Sequence, residues 1–314
     1  MPNILITGGT GLIGKKIIKH LLQKKYTVTV LTRNKEGINE QDGVTYKLWD
    51  VKKKTIDIPA VTSADAIIHL AGAGVMDKKW TAEYKKEILE SRTKSSELLI
   101  QTLKENPHKT KVIVSASAIG WYGADKTRGH FFKEEEAADT EFLGEVCRQW
   151  EESLKPAEEI GIRVCKLRTG IVLSGEGGAY TEFKKPVKFG IAAILGSGKQ
   201  MISWIHIDDL CGAYIYAVEN AGMTGSYNAV APIPVSNKAL TLKIADIVRG
   251  KHFLPLHVPK LFLEILKGGR SIEILKSATV SAAKIQEEGF TFLYPEINAA
   301  VCEIEKKETT DQPL

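Results

Sequence analysis

Residues 4–14 read Ile4-Leu5-Ile6-Thr7-Gly8-Gly9-Thr10-Gly11-Leu12-Ile13-Gly14. An apolar, β-favouring run enters a turn with glycine at positions 8, 11 and 14. Residues 14–24 then place Ile17, Ile18, Leu21 and Leu22 at helical spacing. A glycine triplet alone is only a turn. Between an apolar strand and an amphipathic helix it gains meaning. The glycines permit the turn, let backbone amides approach a pyrophosphate, and leave the anion facing a positive helix end. Gly8, Thr10, Gly11, Leu12, Ile13 and Gly14 are therefore the expected contacts of a dinucleotide.

Outward from this turn, β-rich runs at 3–7, 27–32, 45–48, 66–70, 111–116 and 163–168 alternate with helical patterns at 14–24, 81–104 and 140–161. Such alternation predicts an α/β fold, a Rossmann-type doubly wound parallel sheet covered by helices on both faces. Residues 1–173 form the nucleotide-binding domain, completed by about 205–245. A helix at 208–220 is expected to start on Asp208 and Asp209 as N-caps. Residues 174–204 and 246–305 have a different texture and are read as a smaller C-terminal substrate or lid region. It contains an apolar helix, a Gly268-Gly269 break and a second helical stretch to about residue 304. Residues 306–314 are polar and read as a frayed, disordered tail. Substrate is expected between the two regions, at the C-terminal strand edge where the sheet order reverses.

Composition excludes several classes. With 43% hydrophobic and 26% charged residues, the 314-residue chain is an ordinary globular protein, and a net charge of +5 is too small and too dispersed for a nucleic-acid footprint. Cys147, Cys165, Cys211 and Cys302 stand far apart, which argues against zinc and disulfides and suits a reducing cytosol. No export signal or membrane-length apolar run is visible. The expected partner is a small-molecule substrate, with no nucleic acid and no membrane, in the cytoplasm. A homodimer is the oligomer to look for.

At the end of the second strand, Val30-Leu31-Thr32-Arg33-Asn34 carries a basic residue where an acid would bind a ribose 2′-hydroxyl. Arg33 argues for a 2′-phosphate and hence NADP, against the plainer reading of a solvated loop arginine. Asp50, after the third strand, is placed either to accept from an adenine amino group or to cap a helix. Leu70-Ala71-Gly72-Ala73-Gly74 supplies the small residues against which a cofactor can lie. Ile88, Arg92, Ser95 and Leu99 form one helical stripe, so Arg92 needs an anionic partner. Either a cofactor phosphate or an acid such as Glu87 would serve.

Together these residues resemble the short-chain dehydrogenase/reductase superfamily in its extended and atypical members. The marks are Thr-Gly-Gly-Thr-Gly-Leu-Ile-Gly (7–14), His-Leu-Ala-Gly (69–72), Ser-Ala-Ser-Ala-Ile-Gly-Trp-Tyr-Gly (115–123), Leu-Arg-Thr-Gly-Ile-Val-Leu (167–173) and Trp-Ile-His-Ile-Asp-Asp-Leu (204–210). The chain is most similar to the NADP-binding "epimerase family", a group like the NAD-dependent epimerase/dehydratases that includes bacterial proteins labelled cell-division inhibitors. Lys79-Trp80, Glu90-Ser91-Arg92, Gly196-Ser197-Gly198 and a C-terminal module over 253–301 belong to the same likeness. The resemblance implies that Thr32, Arg33, Leu70, Ala71, Glu87, Arg92 and Val172 line an NADP site.

It also implies a catalytic Tyr-x-x-x-Lys, in which the lysine lowers the tyrosine pKa while a serine holds the carbonyl. Ser117 matches the serine. The dyad is absent: aligning the next helix on Glu151 puts Leu143 and Cys147 in its place, and a shift by one brings Arg148 to the lysine position without any tyrosine. Tyr122, following the fifth strand, is the first candidate for a replacement acid. His206 is the second, although in relatives that histidine is more often structural. Cys147 reads as core, with no visible activating base. Gly196-Ser197-Gly198-Lys199-Gln200 is not a Walker loop, because Ala193 and Gln200 replace its glycine and hydroxyl. Lys184, Lys185 and Lys188 read as a solvated helix face more readily than as a basic lip. The reading that follows is an NADP-dependent oxidoreductase or epimerase acting on a small carbonyl or sugar-like substrate with a non-standard proton donor. The alternative is a non-catalytic NADPH-binding regulator or redox sensor.

Overall fold

Buried apolar runs alternating with amphipathic helices build the sheet predicted from the sequence. The computed structural model describes residues 2–34, 36, 42–127 and 129–310. The chain divides into two compact units, the first comprising Met1–Trp121, Ala138–Arg168 and Cys211–Tyr227. It runs β1 (Asn3–Thr7), α1 (Leu12–Gln23), β2 (Thr27–Thr32), β3 (Val44–Asp50), β4 (Thr55–Ile56), α2 (Ile58–Thr62), β5 (Ala66–His69), α3 (Ala82–Glu105) and β6 (Val112–Ala118). After these come α4 (Phe142–Glu152), α5 (Lys155–Glu159) and β7 (Arg163–Thr169). The helix expected over 140–161 is two helices. Pro156 lies in the first turn of α5, where a proline can begin a helix but cannot continue one.

β1 pairs in parallel with both β2 and β5, β2 with β3, and β5 with β6. The chain therefore winds outward from β1 in one direction and restarts on its other side at β5. In doubly wound sheets ligands bind at such a reversal, here at the C-terminal ends of β1 and β5. Leu5, Leu31, Ile67, Ile113 and Val164 of the strands pack on Leu99 and Leu103 of α3. Helix α1 buries Ile17, Ile18 and Leu21 of the stripe that its periodicity predicts, together with Gly14, while Leu22 is half-buried.

The second unit comprises Tyr122–Ala137, Thr169–Leu210 and Asn228–Leu314. Its elements are β8 (Ile171–Ser174), β9 (Gly177–Gly178), α6 (Ala179–Lys188), β10 (Ile191–Leu195), β11 (Met201–Ile202) and β12 (Trp204–His206). α7 (Ile207–Glu219) and β13 (Gly225–Ala229), the outer strand beside β7, begin in one unit and end in the other. β14 (Val235–Ser236), α8 (Asn237–Arg249), β15 (Leu254–Val258), α9 (Lys260–Lys267), α10 (Ser271–Leu275), α11 (Ala283–Glu287) and α12 (Ile297–Thr310) complete the chain. Leu173, Tyr180, Trp204, Leu240, Ile244 and Val301 form this unit's core.

Three expectations are corrected here. Residues 306–310 are helical, because α12 runs to Thr310 and Lys307 donates to Asp208 (2.8 Å) and pairs with Glu303 (3.1 Å). The rest of the expected tail, 311–314, lies outside the described residues. Asp208 and Asp209 lie within the first turn of α7 instead of capping it, and Asp209 accepts the amides of Leu293 and Tyr294. Lys184 is neither solvated nor a lip: it is buried and paired with Glu305 at 2.7 Å. Segment 122–137, continuous in sequence with the first unit, is pinned inside the second. Asp125 accepts from Ser277 Oγ and from both the amide and hydroxyl of Thr279, each at 2.7 Å.

Candidate nucleotide site and the strand edge beside it

Gly8 lies at φ +71°, and a Cβ there would stand 3.0 Å from the Leu70 carbonyl. The loop after β1 therefore touches the end of β5, and only glycine allows that approach. A Cβ on Gly14 would lie 2.4 Å from the Gly8 oxygen, so the first turn of α1 closes on the loop. Gly11 caps α1 without a side chain. Among the described residues no acceptor faces the amides of Leu12, Ile13 and Gly14. Three orphan donors at the positive end of a twelve-residue helix, lined by a groove a Cβ would fill, fit a pyrophosphate.

The adjoining edge is held by a buried relay that the sequence did not bring out. Thr7 Oγ1 accepts the amides of Leu70 and Ala71 (both 3.1 Å), so its hydroxyl proton goes to His69 Nδ1 at 2.7 Å. Ser95 and Ser96 spend their protons on backbone carbonyls and leave their oxygens to His69 Nε2. His69 is thus assigned as the neutral Nε2–H tautomer, and burial pushes its pKa down to about 4. The relay fixes Leu70 and Ala71 where the resemblance places the cofactor. The one available signal was a histidine directly before Leu-Ala-Gly.

The next residues are stitched to α3. Ser91 Oγ accepts from Ala73 N–H, Tyr84 donates to the Gly74 carbonyl, and Trp80 Nε1 donates to Val75. Arg92 Nη1 donates to the carbonyls of Ala73 and Ile88. Its guanidinium carbon lies 3.1 Å from where a Cβ on Gly72 would stand and 5.0 Å from the centre of the Trp150 ring. Glu87 is not its partner; that carboxylate is exposed and 3.5 Å from Lys78. Among the described residues no carboxylate pairs with Arg92, and burial lowers its pKa. Half-buried against an indole and a glycine, it is a cation without an anion.

At the end of β2, Thr32 donates to the Asn34 carbonyl and Arg33 is exposed. Asp50 uses Oδ1 on the amides of Lys52 and Lys53, closing the turn from β3 into β4; it caps no helix. Val172 lies on β8 in the second unit, half-buried beside Ile205 of β12.

The candidate acids fare differently. Ser117 is buried and donates to Glu151 Oε1 at 2.7 Å. Glu151 also accepts Arg168 through Nε (2.8 Å) and Nη2 (3.0 Å), and Ser226 at 2.8 Å. The Arg168 guanidinium lies 3.7 Å above the Trp121 ring. Ser117's proton is therefore spent on a carboxylate, the wrong polarity for holding a substrate carbonyl. Tyr122 is corrected as a cleft acid: it is a core side chain, stacked on Phe132 and donating to Asn228 Oδ1 at 2.8 Å. His206 is likewise buried, accepting the Asp208 amide at Nδ1 with its ring 4.1 Å from that of Tyr294. Leu143 and Cys147 are both packed under Gly120. Burial pushes the Cys147 thiol up to about 12, with Glu151 adding to the effect. Arg148 is committed to Glu145 and Glu152. The loop at 196–200 is a turn whose Gly198 and Gln200 carbonyls accept amides of α8, which closes that helix end to a phosphate.

Comparison with known proteins agrees with this geometry. Residues 4–229 match the NAD dependent epimerase/dehydratase family, and residues 258–304 match a domain of unknown function, DUF1731. An epimerase family protein of Staphylococcus saprophyticus is 34% identical over 303 residues, covering 96% of this chain and 98% of its own. A crystal structure of the human epimerase family protein SDR39U1 with NADPH superposes with a TM-score of 0.84 at 26% identity, over 97% of this chain and 99% of the other. A nucleoside-diphosphate sugar epimerase from Corynebacterium glutamicum is 31% identical with a TM-score of 0.76, covering 97% of this chain and 58% of its own. No helix among the described residues is long and apolar enough to cross a membrane.

Proposed function

The chain belongs to the NAD dependent epimerase/dehydratase family, and we propose that within it this protein binds NADP(H) in preference to NAD(H). The observation that carries this is a basic side chain, Arg33, ending β2 where an acid would hold a ribose 2′-hydroxyl. Arg92, a cation without a carboxylate beside Gly72, supports an anionic ligand along the same edge. NADPH in the human relative supports the same choice. The pyrophosphate lies on the amides of Leu12, Ile13 and Gly14, and the nucleotide runs along Leu70–Gly72.

The first reading is an oxidoreductase or epimerase acting on a small carbonyl or sugar-like substrate. The bound nicotinamide supplies or accepts a hydride. The accompanying proton comes from water or from the substrate, because the sequence offers no Tyr-x-x-x-Lys there and Ser117, Tyr122 and His206 are buried. That same burial of every candidate acid favours a second reading, a regulator that reports the nucleotide's reduction state through its partners.

Two measurements separate the possibilities. Titration with NADPH and NADH gives a strong preference for NADPH, and Arg33→Glu reverses it by about a hundredfold, the scale on which charge-assisted hydrogen bonding to a phosphate gives way to like-charge repulsion. Equal affinities in the parent protein would sink the NADP assignment. Absorbance at ~340 nm is then followed with NADPH against a panel of carbonyl compounds. Turnover supports the enzyme; NADPH that stays reduced against the whole panel, together with a partner captured only in one nucleotide state, supports the regulator.

A further inference from the structure

The exposed apolar side chains are unevenly distributed. Among the described residues, eight of the fifteen large hydrophobics that are exposed fall within 189–191 and 254–272. Phe189 is 84% exposed, Leu261 69%, Ile265 72% and Ile272 68%. Scattered single exposures are normal, but a concentration of this kind marks an interaction surface.

Its geometry narrows the partner. β10 and β15 pair in parallel with Ile191 opposite Leu254 and Ala193 opposite Leu256. Ala192 and Ile194 face the other way and are buried beside α8. Parallel strands are ordinarily covered on both faces; here β10 is covered on one face only, and β15 is exposed from Leu254 to His257. Strand addition at the outer edge of β15 is hindered. Leu254 donates to Gly190 and Val258 accepts from Gly196, so 254, 256 and 258 bond toward β10. Position 255 then faces the free edge, and Pro255 has no N–H to offer there. The chain continues directly into α9, where Leu261, Phe262 and Ile265 are exposed while Leu263 is buried. α9 packs against α10, which carries Ile272.

Charge selects among the remaining occupants. Residues 249–276 include six basic residues (Arg249, Lys251, Lys260, Lys267, Arg270, Lys276) against two acidic ones, Glu264 and Glu273, so most of the chain's net +5 resides in this segment. A second copy would set this excess against itself. We propose that the β10–β15 face and α9–α10 form a peripheral docking surface for an anionic lipid bilayer. Protruding aliphatic and aromatic side chains enter the headgroup boundary there, and the basic excess meets the lipid charge. The absence of a membrane partner, expected from the lack of a spanning segment, does not cover this mode of contact.

The test is sedimentation of the full chain with extruded vesicles of phosphatidylcholine, with and without phosphatidylserine. Binding is expected to the phosphatidylserine vesicles and to fall steeply by ~0.5 M salt. Phe262→Ser/Ile265→Ser lowers the partition coefficient about a hundredfold, and Lys251→Glu/Lys260→Glu lowers it about tenfold. Both variants should retain NADPH affinity, which shows that they fold; the lysine pair, being exposed, serves if the apolar pair does not. No binding to phosphatidylserine vesicles at low salt overturns the proposal, as does equal binding to both compositions. A concentration-dependent dimer abolished by Phe262→Ser/Ile265→Ser assigns the face to a second copy instead. Capture of polyglutamate without vesicle binding assigns it to an acidic protein.

Discussion

The ends of β1, β2 and β5 and the ends of β6 and β7 lie on one sheet, yet they are equipped in opposite ways. At the first edge, donors stand ready: three helix amides without acceptors among the described residues, an exposed Arg33 and a cation on Trp150. At the second, the polar side chains face one another, with Ser117, Arg168 and Ser226 all turned onto Glu151. A nucleotide is held largely by backbone geometry, and backbone geometry is what short motifs encode. Proton transfer needs a side chain that is both near the cleft and free of other duties, and no local motif specifies that freedom.

Four experiments bear on this contrast. The largest effect belongs to Glu151→Ala, which leaves Arg168 buried beside an uncompensated hydroxyl. It should cost about 3–5 kcal/mol in denaturant unfolding while the remaining folded protein keeps its NADPH affinity. Loss of turnover at unchanged stability would make the β6–β7 edge catalytic and end the contrast.

The His69 relay belongs to the nucleotide edge and predicts a pH dependence. A histidine usually near 6.5 is held down to about 4 in the native state, so below 6.5 the unfolded chain binds the proton first. Stability therefore falls as pH drops from about 6.5 toward about 4, by about 3 kcal/mol in all. Urea unfolding across that window should show the slope in the parent protein and not in His69→Gln.

Trp150→Leu removes the ring under Arg92 and should weaken NADPH binding about fivefold, with Trp150→Phe restoring most of it. Unchanged affinity in the leucine variant would mean that Arg92 is a bystander. The smallest effect is Tyr122→Phe. It removes one buried hydrogen bond to Asn228, about 1 kcal/mol, and any carbonyl reductase rate should be unaffected. A collapse of that rate would restore Tyr122 as the acid.

The fold was legible because its signals are local and repeated. The Gly8–Gly14 spacing, the stripe on α1 and the alternation of strands each name one element, and the doubly wound order follows from them. The place of Arg33 at a strand end was legible for the same reason. Tyr122 was not. Its position after the fifth strand suggested the cleft, but segment 122–137 is held by Asn228 and by 277–279, contacts made across more than a hundred residues of chain. Asp208 and Lys307 illustrate the same limit: a polar tail looks frayed until the carboxylate that orders it is seen. Trp150 and Glu151 carried only the faint signal of an aromatic and an acid adjacent on a helix, and their partners lie on other elements.

Cys147 is packed under Gly120, and with burial pushing its pKa up to about 12 it remains a thiol at any physiological pH. A thiol that does not ionise reacts slowly with peroxide, disulfides or alkylating agents. Oxidant stress therefore leaves this edge chemically unmarked.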